Sequence, residues 1–267
     1  MKITIGQHYP AKSVLHSADP RVKLMGTFLH ITALLFANNF AGYAVAAVYV
    51  ILLVKLSKIP IPMILRGLRP IIFILTFAML INLFLAPGEN VLVQFWFIQV
   101  TMEGILMAIQ MGMRLILIIV GTSLLTLTTT PIKLTDGLEA LLRPLKMIKV
   151  PAHDIAMLMT IALRFIPTLA DEMAKIMKAQ RARGASFDHG GIIKRARGVL
   201  PILVPLFVSA FKRADELATA MEARCYRGDS GDVKRTKMKE MKMTPTDWVS
   251  VGAIILSFTL IVATRWI

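Results

Sequence analysis

The chain has 267 residues, with 31 Lys+Arg against 16 Asp+Glu, a net charge of +15, and 56% hydrophobic residues. Its mean hydropathy is +0.66 and only 18% of it is charged, whereas an ordinary soluble domain carries about 25% charged residues. This composition excludes a conventional soluble domain and points to an integral membrane protein whose charges lie outside the spans. A single cysteine, Cys225, excludes an intrachain disulfide and a cysteine-rich metal site. The five histidines (8, 16, 30, 153 and 189) include no His-x-x-x-His pair. The chain contains neither a phosphate-binding Gly-x-x-x-x-Gly-Lys-Ser/Thr loop nor a Gly-x-Ser-x-Gly elbow, so nucleotide hydrolysis by this chain itself is not expected.

In chain order, the first expected elements are two short apolar helices, about residues 23–38 and 40–56, joined at Asn38-Asn39. A third span runs from Pro70 to Ala86 and a fourth from Gly104 to Thr128, the latter interrupted by Arg114. A fifth covers Asp247 to Ala263. A spanning helix needs roughly 20 apolar residues, so five spans fit these runs. The first apolar run begins only at Leu24, too late for a signal peptide, and the first helix is expected to be retained.

Loop charges alternate. Lys2, Lys12, Arg21 and Lys23 precede the first span, and Lys55, Lys58, Arg66 and Arg69 fill the second loop. Residues 87–103 carry only Glu89 and Glu103, whereas 131–245 carry 21 Lys+Arg and 12 Asp+Glu. The positive-inside rule then places the N-terminus and residues 131–245 in the cytoplasm and the C-terminus outside. The resulting organisation is a four-span bundle over 1–130, a cytoplasmic region over 131–245, and a last span in 246–267. The fold class is an all-α integral membrane protein with long amphipathic cytoplasmic helices.

Within the cytoplasmic region, the spacing of Leu158, Ile161, Phe165, Leu169, Met173 and Ile176 predicts a helix from Ala152 to Arg183, kinked at Pro167. A shorter helix over Leu134–Leu142 precedes it, and a helix over Ile192–Tyr226, bent near Pro201 and Pro205, follows. Ala210, Ala214 and Ala218 recur every four residues. Small residues at this spacing let two backbones approach closely, which predicts a sliding helix–helix contact.

Two Arg-centred triplets, Ala182-Arg183-Gly184 and Ala223-Arg224-Cys225, end the two long helices. Small flanking residues let such an end enter a groove, and the guanidinium can fork onto a carboxylate or carbonyl. A cation also suits a helix C-terminus without any partner. A third triplet, Ala196-Arg197-Gly198, follows Lys194-Arg195 near a helix start and reads as a basic cluster at the membrane surface. Arg114 costs about 2.5–3.5 kcal/mol inside a span and is expected to be satisfied by Glu103, Asn82 or backbone carbonyls. Asp171-Glu172 and Asp215-Glu216 lie on polar helix faces beside Lys or Arg and read as solvated or salt-bridged. His153 and His189 fall in polar turns and are not expected to hold a metal.

At these residues the chain resembles the transmembrane coupling protein, or T component, of energy-coupling factor (ECF) transporters. Asp19-Pro-Arg-Val-Lys23, Thr129-Thr-Pro131, Leu163-Arg-Phe-Ile-Pro167, Ala179-Gln-Arg-Ala-Arg-Gly184 and Arg213-Ala-Asp-Glu-Leu-Ala218 with Met221-Glu-Ala-Arg-Cys-Tyr226 follow the family pattern in order. The resemblance implies a non-catalytic subunit of a bacterial cell membrane importer. It also implies two ABC-type ATPase partners, which hold the ATP and magnesium, and a membrane-embedded S component that binds a vitamin or metal ion. Arg183 and Arg224 match the family's docking arginines, while Cys225 stands where the family usually has Gly. The other readings are a membrane scaffold or an intramembrane enzyme without ATPase partners. The enzyme would need a nucleophile, metal cluster or catalytic dyad, and the sequence offers none. A nucleic-acid partner is not expected, because the positive charge follows topology and few aromatics accompany it.

Overall fold

The computed structural model describes residues 8–85, 90–95, 98–142, 144, 151–184, 192–226, 228 and 243–264. Side chains are described at all of these except 91–95, 98–99, 152 and 192–197. Ten α-helices are present among the described residues: α1 Val14–Ser17, α2 Pro20–Phe36, α3 Phe40–Ser57, α4 Ile61–Leu68, α5 Ile72–Leu85, α6 Met102–Thr128, α7 Pro131–Leu142, α8 Ala152–Ala182, α9 Ile192–Ala223 and α10 Pro245–Ala263. They fall into two compact units, one of residues 8–140 with 243–264 and the other of 141–184 with 192–228.

The first unit is a helical bundle in which α2 packs against α3, α6 and α10, and α5 packs against α6. Ala33, Leu34, Tyr43, Ala46, Val50, Leu117 and Ile261 form its buried centre. Between apolar helices in lipid, association rests on close packing rather than on water exclusion, and small residues make that approach possible. A Cβ on Gly26 would meet Ile254 Cδ1 at 2.7 Å, and one on Gly121 would meet His30 Cδ2 at 2.8 Å. These two glycines set the α2–α10 and α2–α6 approaches.

The start of α2 explains why Asp19-Pro20 begins the first span. The Asp19 carboxylate accepts the Arg21 N–H at 2.8 Å, and Pro20 occupies the first helical turn where its missing N–H costs nothing. The Asp19 N–H donates to Asp247 Oδ1 at 2.8 Å. The other oxygen of Asp247 closes a capping box with Thr244, so one buried carboxylate fixes the starts of both α2 and α10. Lys23 Nζ reaches the Thr128 carbonyl at 3.3 Å and Thr129 Oγ1 at 3.4 Å, which ties the same region to the end of α6.

Four helical runs are long and apolar enough to cross a membrane where spans were expected: α3, the continuous Ile61–Leu85 run, α6 and α10. α2, with 17 residues, covers about 25 Å and lies at the bundle centre, which suits the shortest of the spans. α8 also passes on length and hydropathy over His153–Ala182. Its second half carries Asp171, Glu172, Lys175, Lys178 and Arg181, and each charge at mid-membrane would cost about 2.5–3.5 kcal/mol. We therefore assign α8 to the amphipathic pair rather than to the spans.

Three expectations are corrected. The third span does not begin at Pro70: helix starts at Ile61, and Pro70 lies in a 3₁₀ turn, Arg69–Ile71, between α4 and α5. A tightened turn accommodates the proline that an α-helical interior would reject. The expected loop 87–103 contains an antiparallel hairpin, β1 Val91–Phe95 with β2 Ile98–Thr101, which the β-branched and aromatic residues Val91, Val93, Phe95, Ile98 and Val100 favour. α7 begins at Pro131 and packs on the bundle, since a Cβ on Gly137 would lie 3.1 Å from both Leu24 and Pro20.

Arg114 is satisfied from the end of α2. Its Nη2 donates to the Ala37 carbonyl at 2.8 Å and its Nε to Tyr43 Oη at 3.1 Å. Tyr43 Oη–H donates to the same Ala37 carbonyl at 2.9 Å. The cation thus sits where the α2 backbone dipole is negative. The backbone carbonyl expected for Arg114 is present, whereas Asn82 bonds Ala78 and Glu103 accepts from Asn90.

Candidate functional site

The second unit is built from α8 and α9, which run antiparallel. Gln180 donates to the Pro201 carbonyl at 3.4 Å, Glu172 bridges Arg213 at 3.2 Å, and Tyr226 Oη reaches Asp154 at 3.5 Å. Ser209 Oγ also donates to Glu172. This hydrogen bond, with the Arg213 charge second among the favourable causes, holds the Glu172 carboxyl below the usual glutamate range. Ala156 and Ile202 are the buried apolar side chains of the pair. The half-buried positions of α9 continue through Leu206, Ser209, Arg213, Leu217 and Met221, a three-to-four residue spacing that marks one helix face.

Both Arg-centred ends turn left-handed at the residue after the arginine. In α8, Arg183 is the C-cap, and its N–H bonds the Ala179 and Gln180 carbonyls. Gly184 follows with φ +86° and donates to Arg181. In α9, the Cys225 N–H donates to Glu222 at 2.8 Å and the Tyr226 N–H to Met221 at 3.0 Å. This is the paired-bond helix ending in which the residue after the cap turns left-handed. Cys225 takes that turn with φ +54°. The uncommon Cys therefore does the work of Gly184, and α9 stops at Ala223 without needing Gly228.

Ala182, Arg183, Gly184, Ala223, Arg224 and Cys225 are all exposed. Because the helices are antiparallel, the two ends lie at opposite ends of the pair. Asp154, beside Tyr226, and Arg183 are separated along α8 by roughly 40 Å at the α-helical rise. The side of α9 away from the seam is apolar and exposed at Val204, Phe207, Val208 and Phe211, the last at 73%.

Residues 11–235 match the family model of CbiQ, described as a cobalt transport protein. The chain is 51% identical over 265 residues to the energy-coupling factor transporter transmembrane protein EcfT of Ruminiclostridium cellulolyticum, covering 99% of this chain and 98% of that one. It is 49% identical over 266 residues to the protein of the same name in Clostridium kluyveri, covering 99% and 97%. The protein of that name in Bacillus subtilis is 45% identical over 257 residues, covering 96% of both chains. The chain belongs to the EcfT family.

It is thus a multi-pass transmembrane component of an energy-coupling factor transporter. Within this EcfT-family chain the small-residue stripe of α9 lies at the edge of the α8–α9 seam and beyond it. Ala210 is half-buried, but Ala214 and Ala218 are exposed. The α8–α9 seam is instead held by Glu172, Ser209 and Arg213, because polar clamping and larger apolar residues occupy the facing side. Arg197 lies inside α9 rather than at a helix end, and its side chain falls outside the described residues, as does His189. Of the paired acids, Glu172 is the bridging one, whereas Asp171, Asp215 and Glu216 are exposed. Among the described residues no group of three His, Cys, Asp or Glu converges as a metal site. The sequence reading missed the Glu172–Ser209–Arg213 clamp. Its signal was present, since Ser209 and Arg213 are four residues apart and so share one face of α9.

Proposed function

We propose that this chain is the coupling subunit of an ECF-type importer, with one ATPase docked at Arg183 and a second at Arg224. The observation that carries this reading is the matched pair of exposed, arginine-capped helix ends at opposite ends of one antiparallel helix pair. Two like ends facing away from each other suit two like partners. A charge-assisted arginine contact contributes roughly 1.5–3 kcal/mol, enough for each end to decide whether its partner stays bound. ATP and magnesium are held by the ATPases, and this chain supplies no catalytic or cofactor-binding group.

The exposed apolar face of α9 supports the second half of the reading. It suits a membrane-embedded S component that carries a vitamin or a metal ion. Movement of the ATPases would pass through α8 and α9 to that component. The N-terminus and the α8–α9 unit lie in the cytoplasm and the C-terminus outside, in agreement with the loop charges. The test is co-purification with both ATPases. Arg183→Glu with Arg224→Glu is expected to insert normally yet lose stable assembly and ATP-driven uptake. Assembly of the double variant at the wild-type yield would remove both arginines from the docking role.

A further inference from the structure

A mostly apolar cavity of about 460 Å³, open at Val249 and with Lys23 and His30 in its wall, lies among α1, α2, α3, α6 and α10, within the range of about 300–1,000 Å³ typical of ligand pockets. A basic groove of about 600 Å³ lies beside it, lined by Lys12, Lys55, Lys58 and His16. Val14 and Leu56 line both spaces, so the two adjoin across these side chains. They are 52% and 51% exposed, and they form an apolar sill between cavity and groove. No carboxylate lines either space among the described residues. His16 is already engaged, through Ser13 Oγ at 2.7 Å and the Tyr9 carbonyl at 2.9 Å. The three lysines are exposed and have no acid in the groove to pair with.

Topology alone accounts for lysines at a membrane surface. It does not account for an apolar cavity that shares two lining residues with their groove. A basic pocket at the end of spanning helices, adjoining an apolar one, matches a molecule with an anionic head and a hydrocarbon tail. We propose that this composite site binds an anionic diacyl phospholipid of the adjoining leaflet, its phosphate among Lys12, Lys55 and Lys58 and one acyl chain in the cavity. The lipid would bridge α1, α3 and α10 at the end of the bundle where the cavity lies. This assignment is independent of where the ATPases dock.

The test uses the full-length chain in detergent, supplied with equal amounts of dioleoyl phosphatidylglycerol and dioleoyl phosphatidylcholine, with retained lipid counted by native mass spectrometry. The wild-type chain is expected to prefer the anionic lipid by at least about tenfold, given the attraction of each lysine near a membrane surface. Lys12→Gln, Lys55→Gln and Lys58→Gln together should bring the two lipids to parity. Lys133→Gln, outside both spaces, should leave the preference intact. Ser250→Trp, which narrows the cavity, should lose retained lipid of both kinds while the protein stays monodisperse; Ala253→Trp serves if Ser250→Trp does not. Equal retention of both lipids by the wild type, or an unchanged preference in the triple variant, would overturn the assignment. So would displacement of the lipid by glycerol 3-phosphate as readily as by phosphatidylglycerol, which would give the lysines to a free phosphate compound.

Discussion

At the scale of single residues, the second arginine triplet is the most informative. A residue with a side chain in the left-handed region costs about 1–2 kcal/mol, and Cys225 bears that strain with φ +54° where the first triplet has Gly184. Replacing Cys225 by Gly should relieve strain while adding freedom to the unfolded chain, with a net gain of up to about 1 kcal/mol at the helix end. Cys225→Val, branched at Cβ, should loosen it. Hydrogen exchange at the Cys225 and Tyr226 amides reads this directly: slower than wild type in Cys225→Gly, faster in Cys225→Val. Equal exchange in all three would mean that the last turn of α9 is held by something other than its cap. The position of the triplets was legible because helix ends are written locally, in small residues and a turn former. The left-handed Cys was not, since nothing in the composition of Met221–Tyr226 names which residue will turn.

At the scale of elements, periodicity gave α3, α6, α8 and α10 nearly to their ends, because each is a long run with one dominant pattern. It failed at Pro70, where a proline was read as a helix start although a 3₁₀ turn lets Ile61–Leu85 continue. At Ala210, Ala214 and Ala218 spacing identifies a face but not the neighbour of that face. The α8–α9 seam rests on Glu172 with Ser209 and Arg213. Arg213→Glu alone should set two carboxylates together and speed proteolysis of the α8–α9 pair at neutral pH. Adding Glu172→Arg should slow it again. The Glu172 carboxyl is held below its usual range, first by Ser209 and then by Arg213. Its contribution is therefore present above the unfolded glutamate value and lost only as pH falls through the lower folded one. Glu172→Gln should match the wild type in strongly acidic buffer and differ from it at neutral pH. No difference at either pH would show that apolar packing alone holds the pair.

At the scale of the whole molecule, the first two motifs of the family resemblance meet in space. Asp19 and Lys23 join the starts of α2 and α10 to the Thr128-Thr129 end of α6, so a motif spread over the sequence is one structural knot. The second half of the pattern builds the α8–α9 pair with its two exposed arginine ends. For the proposed docking of the ATPases at these ends the chain contains its own reporter, because Cys225 is the sole cysteine and is exposed beside Arg224. The most direct measurement is the rate at which a small maleimide labels Cys225 in the purified chain, without and with saturating ATPase subunits. The expected result is ready labelling of the chain alone, strong protection once the ATPases are bound, and loss of that protection in Arg224→Glu. An unchanged labelling rate in a complex that demonstrably contains both ATPases would contradict docking at the end of α9.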